Sequence, residues 1–420
     1  MSEEENEISY NQKQKEAIKK ALENNILIIT GGPGTGKTTI IETIVEIYKE
    51  IKDLTYDDLI DKIALLAPTG RASKRMSEAT NLPATTIHRF LKWNKENNEF
   101  MVNETNKDFS ELVIIDEVSM IDINLFSSLF KGITTNAKLI LVGDYNQLPS
   151  VGAGNILKDL IDCQKIDTIY LDLLYRQDEN SYINNLAHDI KNGNLSEEFL
   201  KTKNDYAFLN CSSDSILETL KTTCQRLVEK DIDQKRIQLM APMYAGINGI
   251  DNLNKELQKI FNPEDHNKNE IRYGDIVFRE NDKILQLVNM PDDNVFNGDV
   301  GYIKYIIKAA NSKSKKNEIY VDYDGNVVKY LPKDFNKIKH GFIISIHKSQ
   351  GSEFDLVIIP ICMSYYRMLY RKLIYTAITR AKKKLIIIGE ANAFKYSVDN
   401  NNEYIRKTNL CEKLKNMYND

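Results

Sequence analysis

The sequence predicts an α/β protein of two parallel-sheet P-loop units in tandem. A small hairpin is expected as an insertion in the first unit and an antiparallel β unit as an insertion in the second. Three observations carry this prediction. Short unbroken apolar runs recur, each closed by a polar turn and followed by a helical pattern, as in "KIALLAPTGRASKRMSEA". Strands covered by helices on both faces read as such unbroken runs. One of them, "ILIITGGPGTGKTTIIETIVEIYKEI", passes through a glycine-rich turn before its helix. Between Asn267 and Lys339 the texture changes to short alternating runs such as "GDVGYIKYII" and "EIYVDYDGNVVKYL", with Asp324-Gly325 as a hairpin signal between two of them.

The elements follow in order. "YNQKQKEAIKKALENN" has the spacing of an amphipathic helix with a polar stop. The glycine-rich strand–turn–helix comes next, then "KIALLAPTG", "LVIIDEVSMI" and "KLILVGDYNQLPSV", each an apolar strand ending in a polar turn. "TIYLDLLYRQ" is read as the opening of the second unit, which continues through "RIQLMAPMYAGINGIDNLNKEL" and "KKLIIIGEANAF". The expected borders are 1–165 for the first unit, with its hairpin at about 92–110, then 166–266 with 340–420 for the second, and 267–339 for the inserted β unit. Ligands of such sheets bind at the carboxyl ends of the strands, where these polar turns fall.

Composition narrows the function. With 420 residues, 42% of them hydrophobic, the chain can bury several cores. No apolar run approaches the roughly 18–20 residues of a membrane helix, and the acidic start "MSEEENEISY" has no signal-peptide pattern. The thiols Cys163, Cys211, Cys224, Cys362 and Cys411 are dispersed, which fits reduced cysteines in a cytoplasmic protein. The five histidines show no metal-ligand spacing. A net charge of −4 argues against a general nucleic-acid surface. Basic residues nevertheless gather locally: Arg71, Lys74 and Arg75; Arg89, Lys92 and Lys95; Arg367, Arg371, Lys372, Arg380, Lys382, Lys383 and Lys384. Each cluster fits a phosphate track and equally an ordinary solvated face.

Gly31 to Thr38, "GGPGTGKT", matches the phosphate-binding loop G-x-x-x-x-G-K-[ST] in the expected strand–helix context. Gly32, Pro33, Gly34, Thr35, Gly36, Lys37, Thr38 and Thr39 are therefore the expected nucleotide loop. Its backbone N–H groups cradle phosphates, Lys37 reaches the β- and γ-phosphates, and the Thr38 hydroxyl ligates Mg²⁺. Asp116 and Glu117 close the strand of "LVIIDE", as a Mg²⁺-holding carboxylate and a residue that orients or deprotonates the attacking water. Gln147, after the next strand, is placed to sense the γ-phosphate.

Eight stretches appear in one order: "GGPGTGKTT", "APTGRASKR", "TIHRF", "IIDEVSM", "GDYNQLPSVGAG", "LYRQ", "IHKSQGSEF" and "YTAITRAK". Together they resemble the ordered motifs of superfamily 1B DNA helicases, in the RecD-like and Dda-like branch. The resemblance implies two RecA-like domains, a pin hairpin between Lys92 and Ser110, and an SH3-like β domain inserted in the second. It implies an ATP- and Mg²⁺-dependent enzyme moving 5′→3′ on single-stranded DNA, with single-strand/duplex junctions as partners, no membrane, and a single chain as the working unit. Residue by residue, Gln14 resembles the glutamine that reads adenine and Tyr175 the aromatic that stacks on it. Arg176 and Arg380 resemble γ-phosphate arginines, and Gly351 and Glu353 face the nucleotide. Pro68, Thr69, Gly70, Arg71, Thr86, His88, Pro149, Val151, His347 and Lys348 resemble the DNA-contacting positions. Trp93 fits either a wedge or simple packing. Longer RecD-like relatives carry an extension ahead of the glutamine motif, and docking through one is not expected here. An RNA helicase of the same superfamily, or a DNA-stimulated ATPase switch that does not unwind, fits the same residues.

Overall fold

The computed structural model describes residues 10–94, 97, 99–172, 181–401 and 406–417. The chain divides into two units, Met1–Asn180 with Tyr404–Asp420, and Ser181–Glu403.

The first unit is built on a six-stranded sheet in the order Ala84–Thr86, Ile63–Ala67, Leu112–Ile115, Lys138–Gly143, Ile26–Gly31 and Thr168–Leu171. Every pairing in it is parallel. The unbroken apolar runs are explained by their neighbours on both faces. Leu27, Ile29, Leu65, Ile114 and Ile140 enter one core cluster, while Ile28, Leu66, Val113, Ile115 and Leu141 enter the other. Successive strand residues point to opposite faces, so a sheet buried on both sides needs an apolar residue at every position. The opening helix Gln12–Glu23 starts with a capping box in which Asn11 and Gln14 bond each other's backbone N–H.

The second unit holds a five-stranded sheet in the order Ile343–Ser345, Ile237–Ala241, Phe354–Ile361, Ala381–Gly389 and Tyr206–Asn210, again all parallel. Between Ile237–Ala241 and Ile343–Ser345 the chain builds the antiparallel insertion. A two-stranded ribbon, Glu270–Tyr273 with Ile276–Arg279, precedes a five-stranded sheet ordered Asn326–Tyr330, Glu318–Tyr323, Val300–Ile307, Lys283–Gln286 and Ile338–His340. The insertion has its own core around Phe278, Ile303, Val321 and Tyr330. The Asp324-Gly325 turn forms as expected: both residues are left-handed, with φ of 51° and 95°, and Tyr323 pairs with Asn326 across it. The architecture is thus mixed α/β with parallel sheets and an SH3-like insertion.

Two segments lie in the other unit from that expected. Thr168–Leu171, read as the opening of the second unit, pairs in register with Ile26–Gly31 and forms the edge of the first sheet. The C-terminal stretch, assigned within 340–420 to the second unit, returns to the first, where Leu410 and Leu414 of the helix Leu410–Met417 pack against the core. An apolar strand declares its burial but not its sheet, and a short amphipathic helix declares a buried face but not what covers it.

Within the stretch expected to form a hairpin, Trp93–Asn94 pairs with Glu99–Phe100, and Trp93 sits edge-on to Phe100 at 4.8 Å between ring centres. Among the described residues, no helix is long and apolar enough to cross a membrane.

Candidate nucleotide site and nucleic-acid interface

The carboxyl ends of three adjacent strands build the site of the first unit. From Ile26–Gly31 the chain turns through residues 32–36 into the helix Lys37–Lys52. Lys37 folds back over the turn, its Nζ donating to the carbonyls of Gly31 at 2.7 Å and Gly32 at 2.8 Å. The Thr35 hydroxyl closes the loop on Gly32 O at 2.8 Å. Gly36 is left-handed, with φ of 82°, and a Cβ there would lie 2.5 Å from the Gln14 amide nitrogen. Only glycine meets both demands. Thr38 is exposed at the first turn of the helix, with Pro33, Gly34 and Thr39 half-buried around it.

Gln14 is buried and both ends of its amide are engaged. Its Nε2 donates to Thr35 O at 3.2 Å, and its Oε1 accepts from Asn11 N at 3.1 Å. In this structure it braces the phosphate loop from behind.

The strand Leu112–Ile115, one beyond Lys138–Gly143 in the sheet, delivers Asp116 and Glu117. Asp116 N donates to Leu66 O at 2.9 Å, and Asp116 Oδ1 accepts from Glu117 N at 2.8 Å. Burial and the adjacent Glu117 carboxylate push the Asp116 carboxyl above its ordinary range, while Lys37 and Arg75 pull it back. Glu117 is buried and left-handed, with φ of 54°. That conformation is uncommon for a residue with a side chain and tends to mark working sites. Arg75 Nη2 reaches Glu117 Oε1 at 3.4 Å. After the strand Lys138–Gly143, Gln147 donates from Nε2 to Asp144 Oδ2 at 3.3 Å. Among the described residues, Thr30 Oγ1, Ser119 Oγ and Gln147 Oε1 are buried without hydrogen-bond partners. Buried polar atoms are rarely left so, and these three lie on the segments that form the site.

The donor set fits Mg²⁺. Asp116 and Thr38 offer hard oxygens, and a carboxylate whose ionisation is resisted by a second carboxylate gains from an added cation. Mg²⁺ takes one or two protein oxygens and completes its shell with water and phosphate. The described residues contain no group of three or more His, Cys, Asp or Glu arranged to hold a metal.

The second unit has its own polar turn between Ile343–Ser345 and Phe354–Ile361. Ser345 Oγ accepts from Lys348 N at 3.4 Å, and Gly351 is left-handed at φ of 72°. Arg380 is buried with its guanidinium committed locally: Nε to Thr376 O at 3.1 Å, Nη1 to Ser352 O at 3.1 Å and Nη2 to Thr379 Oγ1 at 3.3 Å. Gly351 and Arg380 are thereby brought to one turn. Glu353 pairs with Lys382 at 3.5 Å. Burial lowers the basicity of both His347 and Lys348, and Lys348 Nζ donates to Asn297 Oδ1 of the inserted β unit. Tyr175 and Arg176 lie outside the described residues.

The expected DNA-contacting residues of the first unit come off adjacent strand ends. Ala67 and Thr86 are register partners, and Pro68 to Arg71 and Thr86 to His88 follow them. Thr69 caps the helix Gly70–Thr80 by accepting from Ala72 N at 3.3 Å, and Thr86 caps Ile87–Phe90 by accepting from Arg89 N at 3.3 Å. His88 is exposed beside Phe100, with 5.9 Å between ring centres. Pro149 and Val151 lie on the turn after Lys138–Gly143, and Val151 is 85% exposed, an apolar side chain presented to solvent.

Sequence reasoning missed what holds that turn. Arg406 donates to Ser150 Oγ at 3.2 Å and Gly154 O at 2.7 Å, and also to Ser150 O and Gly152 O. Thr408 Oγ1 donates to Asp159 Oδ1 at 2.9 Å just beyond. No motif spacing announces a lone arginine that binds backbone carbonyls. Arg406→Ala is expected to cost about 1–3 kcal/mol, the usual worth of a charged hydrogen-bond donor. Amide hydrogen exchange should accelerate at residues 150–154; unchanged exchange there would show that the turn holds its shape unaided.

The fold and loop define a P-loop protein of two parallel-sheet units. Three domain families match the sequence: "AAA domain" at residues 14–153, "ATP-dependent RecD-like DNA helicase SH3 domain" at 253–323 and "UvrD-like helicase C-terminal domain" at 340–388. The chain is similar to RecD-like helicases over most of its length. It is 31% identical over 404 residues to the ATP-dependent RecD2 DNA helicase of Deinococcus radiodurans, covering 96% of this chain and 52% of that protein. It thus spans about half the length of that relative. It is 27% identical over 463 residues to the RecBCD enzyme subunit RecD of Buchnera aphidicola from Schizaphis graminum, covering 91% of this chain and 73% of that one. In fold it resembles the Pif1 helicase of Candida albicans, with a TM-score of 0.54 and 17% identity over 98% of this chain and 100% of that one. It also resembles a Bacteroides Pif1 bound to single-stranded DNA, with a TM-score of 0.55 and 15% identity over 98% and 97%.

Proposed function

We propose that this chain is an ATP-dependent DNA helicase that moves 5′→3′ on single-stranded DNA and separates duplex at a junction. The observation that carries the proposal is the Lys37-covered loop with the Asp116–Glu117 pair at a strand end of the same sheet, in a chain that also carries the RecD-like SH3 insertion.

In this reading the loop N–H groups and Lys37 hold the triphosphate, with Lys37 exchanging the Gly31 and Gly32 carbonyls for phosphate oxygens. Thr38 and Asp116 would hold Mg²⁺, which would supply positive charge against the phosphates. Glu117 orients the attacking water and accepts its proton. Gln147 senses the γ-phosphate. Arg176 and Arg380 supply positive charge to the γ-phosphoryl. Gln14, Tyr175, Gly351 and Glu353 complete the nucleotide set. Pro68 to Arg71, Thr86, His88, Pro149, Val151, His347 and Lys348 hold the strand, and the short Trp93 hairpin meets the junction. The chain works as a single copy, and the five free thiols fit a reducing cytoplasm. Melting costs about 1.4 kcal/mol of stacking per base-pair step, well within the yield of one ATP.

The test is unwinding of duplexes with a 5′ or a 3′ single-stranded tail. Separation of the 5′-tailed substrate alone is expected. Preference for the 3′ tail would reverse the polarity. ATPase stimulation by DNA without strand separation would make the protein a switch, and equal stimulation by RNA would broaden its substrate.

A further inference from the structure

The helix Gly70–Thr80 joins two sites. Its first residues belong to the proposed DNA contact, and one turn further on, Arg75 pairs with Glu117. Residues four apart share a helix face, so Arg71 and Arg75 stand one above the other. We infer that Arg75 is a regulatory positioning residue. Without DNA it holds the Glu117 carboxylate away from its task, and DNA bound at Pro68–Arg71 releases it. The inference rests on Glu117 being the water-orienting residue.

Three features support it. The contact is loose, at 3.4 Å through a single nitrogen, with the Arg75 side chain 36% exposed. Arg75 Nε is buried without a hydrogen-bond partner among the described residues, so the guanidinium is incompletely satisfied where it stands. A bidentate, fully satisfied pair would make a fixed strut; a single long contact makes a releasable one. Second, Glu117 already sits in an uncommon backbone conformation beside Asp116, so the pair with Arg75 adds a restraint on a side chain with alternatives. Third, the helix is anchored so that a push at its start is carried along it. Ala72, Ser73 and Met76 are buried, and Ser73 Oγ donates to Gly70 O at 2.9 Å. A phosphate settling at Thr69 to Arg71 bears on the first turn of that rod. It also places negative charge near Arg75, in competition with Glu117.

The experiment measures steady-state ATP hydrolysis with and without saturating oligo(dT) for wild type, Arg75→Ala, Arg75→Gln and Glu117→Gln. Arg75→Ala is expected to raise the DNA-free kcat about tenfold, within the usual range of coupling between sites. The DNA-saturated kcat and the KM for ATP should stay within about twofold, so the stimulation ratio falls. Arg75→Gln keeps the bulk of the side chain and should behave alike, which separates release of Glu117 from loss of packing. DNA-free and DNA-bound rates falling together, or neither changing, would overturn the inference. Glu117→Gln reports on the underlying assignment: normal turnover in that variant would remove the role of Glu117 itself.

Discussion

Arg380→Ala is expected to lower DNA-stimulated ATP hydrolysis by about 10³–10⁵, the range that separates phosphoryl transfer with and without an arginine finger. Affinity for a non-hydrolysable ATP analogue should be largely kept. The structure adds a second expectation. The guanidinium also ties the end of the helix Arg371–Ile378 to the turn at Ser352, through Thr376 O and Ser352 O. Truncation removes those charged hydrogen bonds, at about 1–3 kcal/mol for each, so the thermal midpoint should fall as well. Arg380→Lys keeps the charge and loses the fork geometry. It should recover part of the stability and little of the rate, because a planar guanidinium spans several oxygens that an ammonium cannot. Loss of DNA binding with hydrolysis spared would move Arg380 from the nucleotide to the nucleic-acid track.

Lys37→Ala should abolish hydrolysis and unwinding, with at least the 10²–10³-fold loss, roughly, that follows removal of one charge-stabilising donor. The fold should survive. Lys37 is only half-buried, and the Gly31 and Gly32 carbonyls it serves can turn to water. Single-turnover hydrolysis and circular dichroism check the two halves of this statement. Retained turnover in a folded variant would remove the loop from the chemistry.

Much of this site was legible because its chemistry forces particular residues into particular backbone shapes. Gly36 had to be glycine, given its φ of 82° and the Gln14 amide behind it. Asp324-Gly325 had to turn, and Asp116-Glu117 had to close a strand if they were to reach the loop. What stayed hidden were relations between segments. The cluster of Arg71, Lys74 and Arg75 was visible as charge, yet charge alone does not say that Arg75 meets a carboxylate 42 positions later in the chain. Gln14 could be read as a purine-edge donor. Its match with Asn11 as a capping box was equally readable and accounts for where its Oε1 goes. Thr168–Leu171 carried the signature of a parallel strand and nothing to choose between two sheets that both accept one. Arg406 bonds mostly main-chain oxygens, which every residue has, so no partner residue could have flagged it.

The return of the C-terminal stretch has a consequence for the order in which the molecule is made. The first unit owns residues on both sides of Ser181–Glu403 along the chain. During synthesis the phosphate loop, the acidic pair and the turn at Ser150 all emerge before the second unit, and the arginine that fastens that turn emerges only after it. The second unit can be complete while the first is still waiting for its clasp. A nascent chain, or one cut short just past the second unit, therefore holds the Gly31–Thr38 loop before the turn at Ser150 is fastened.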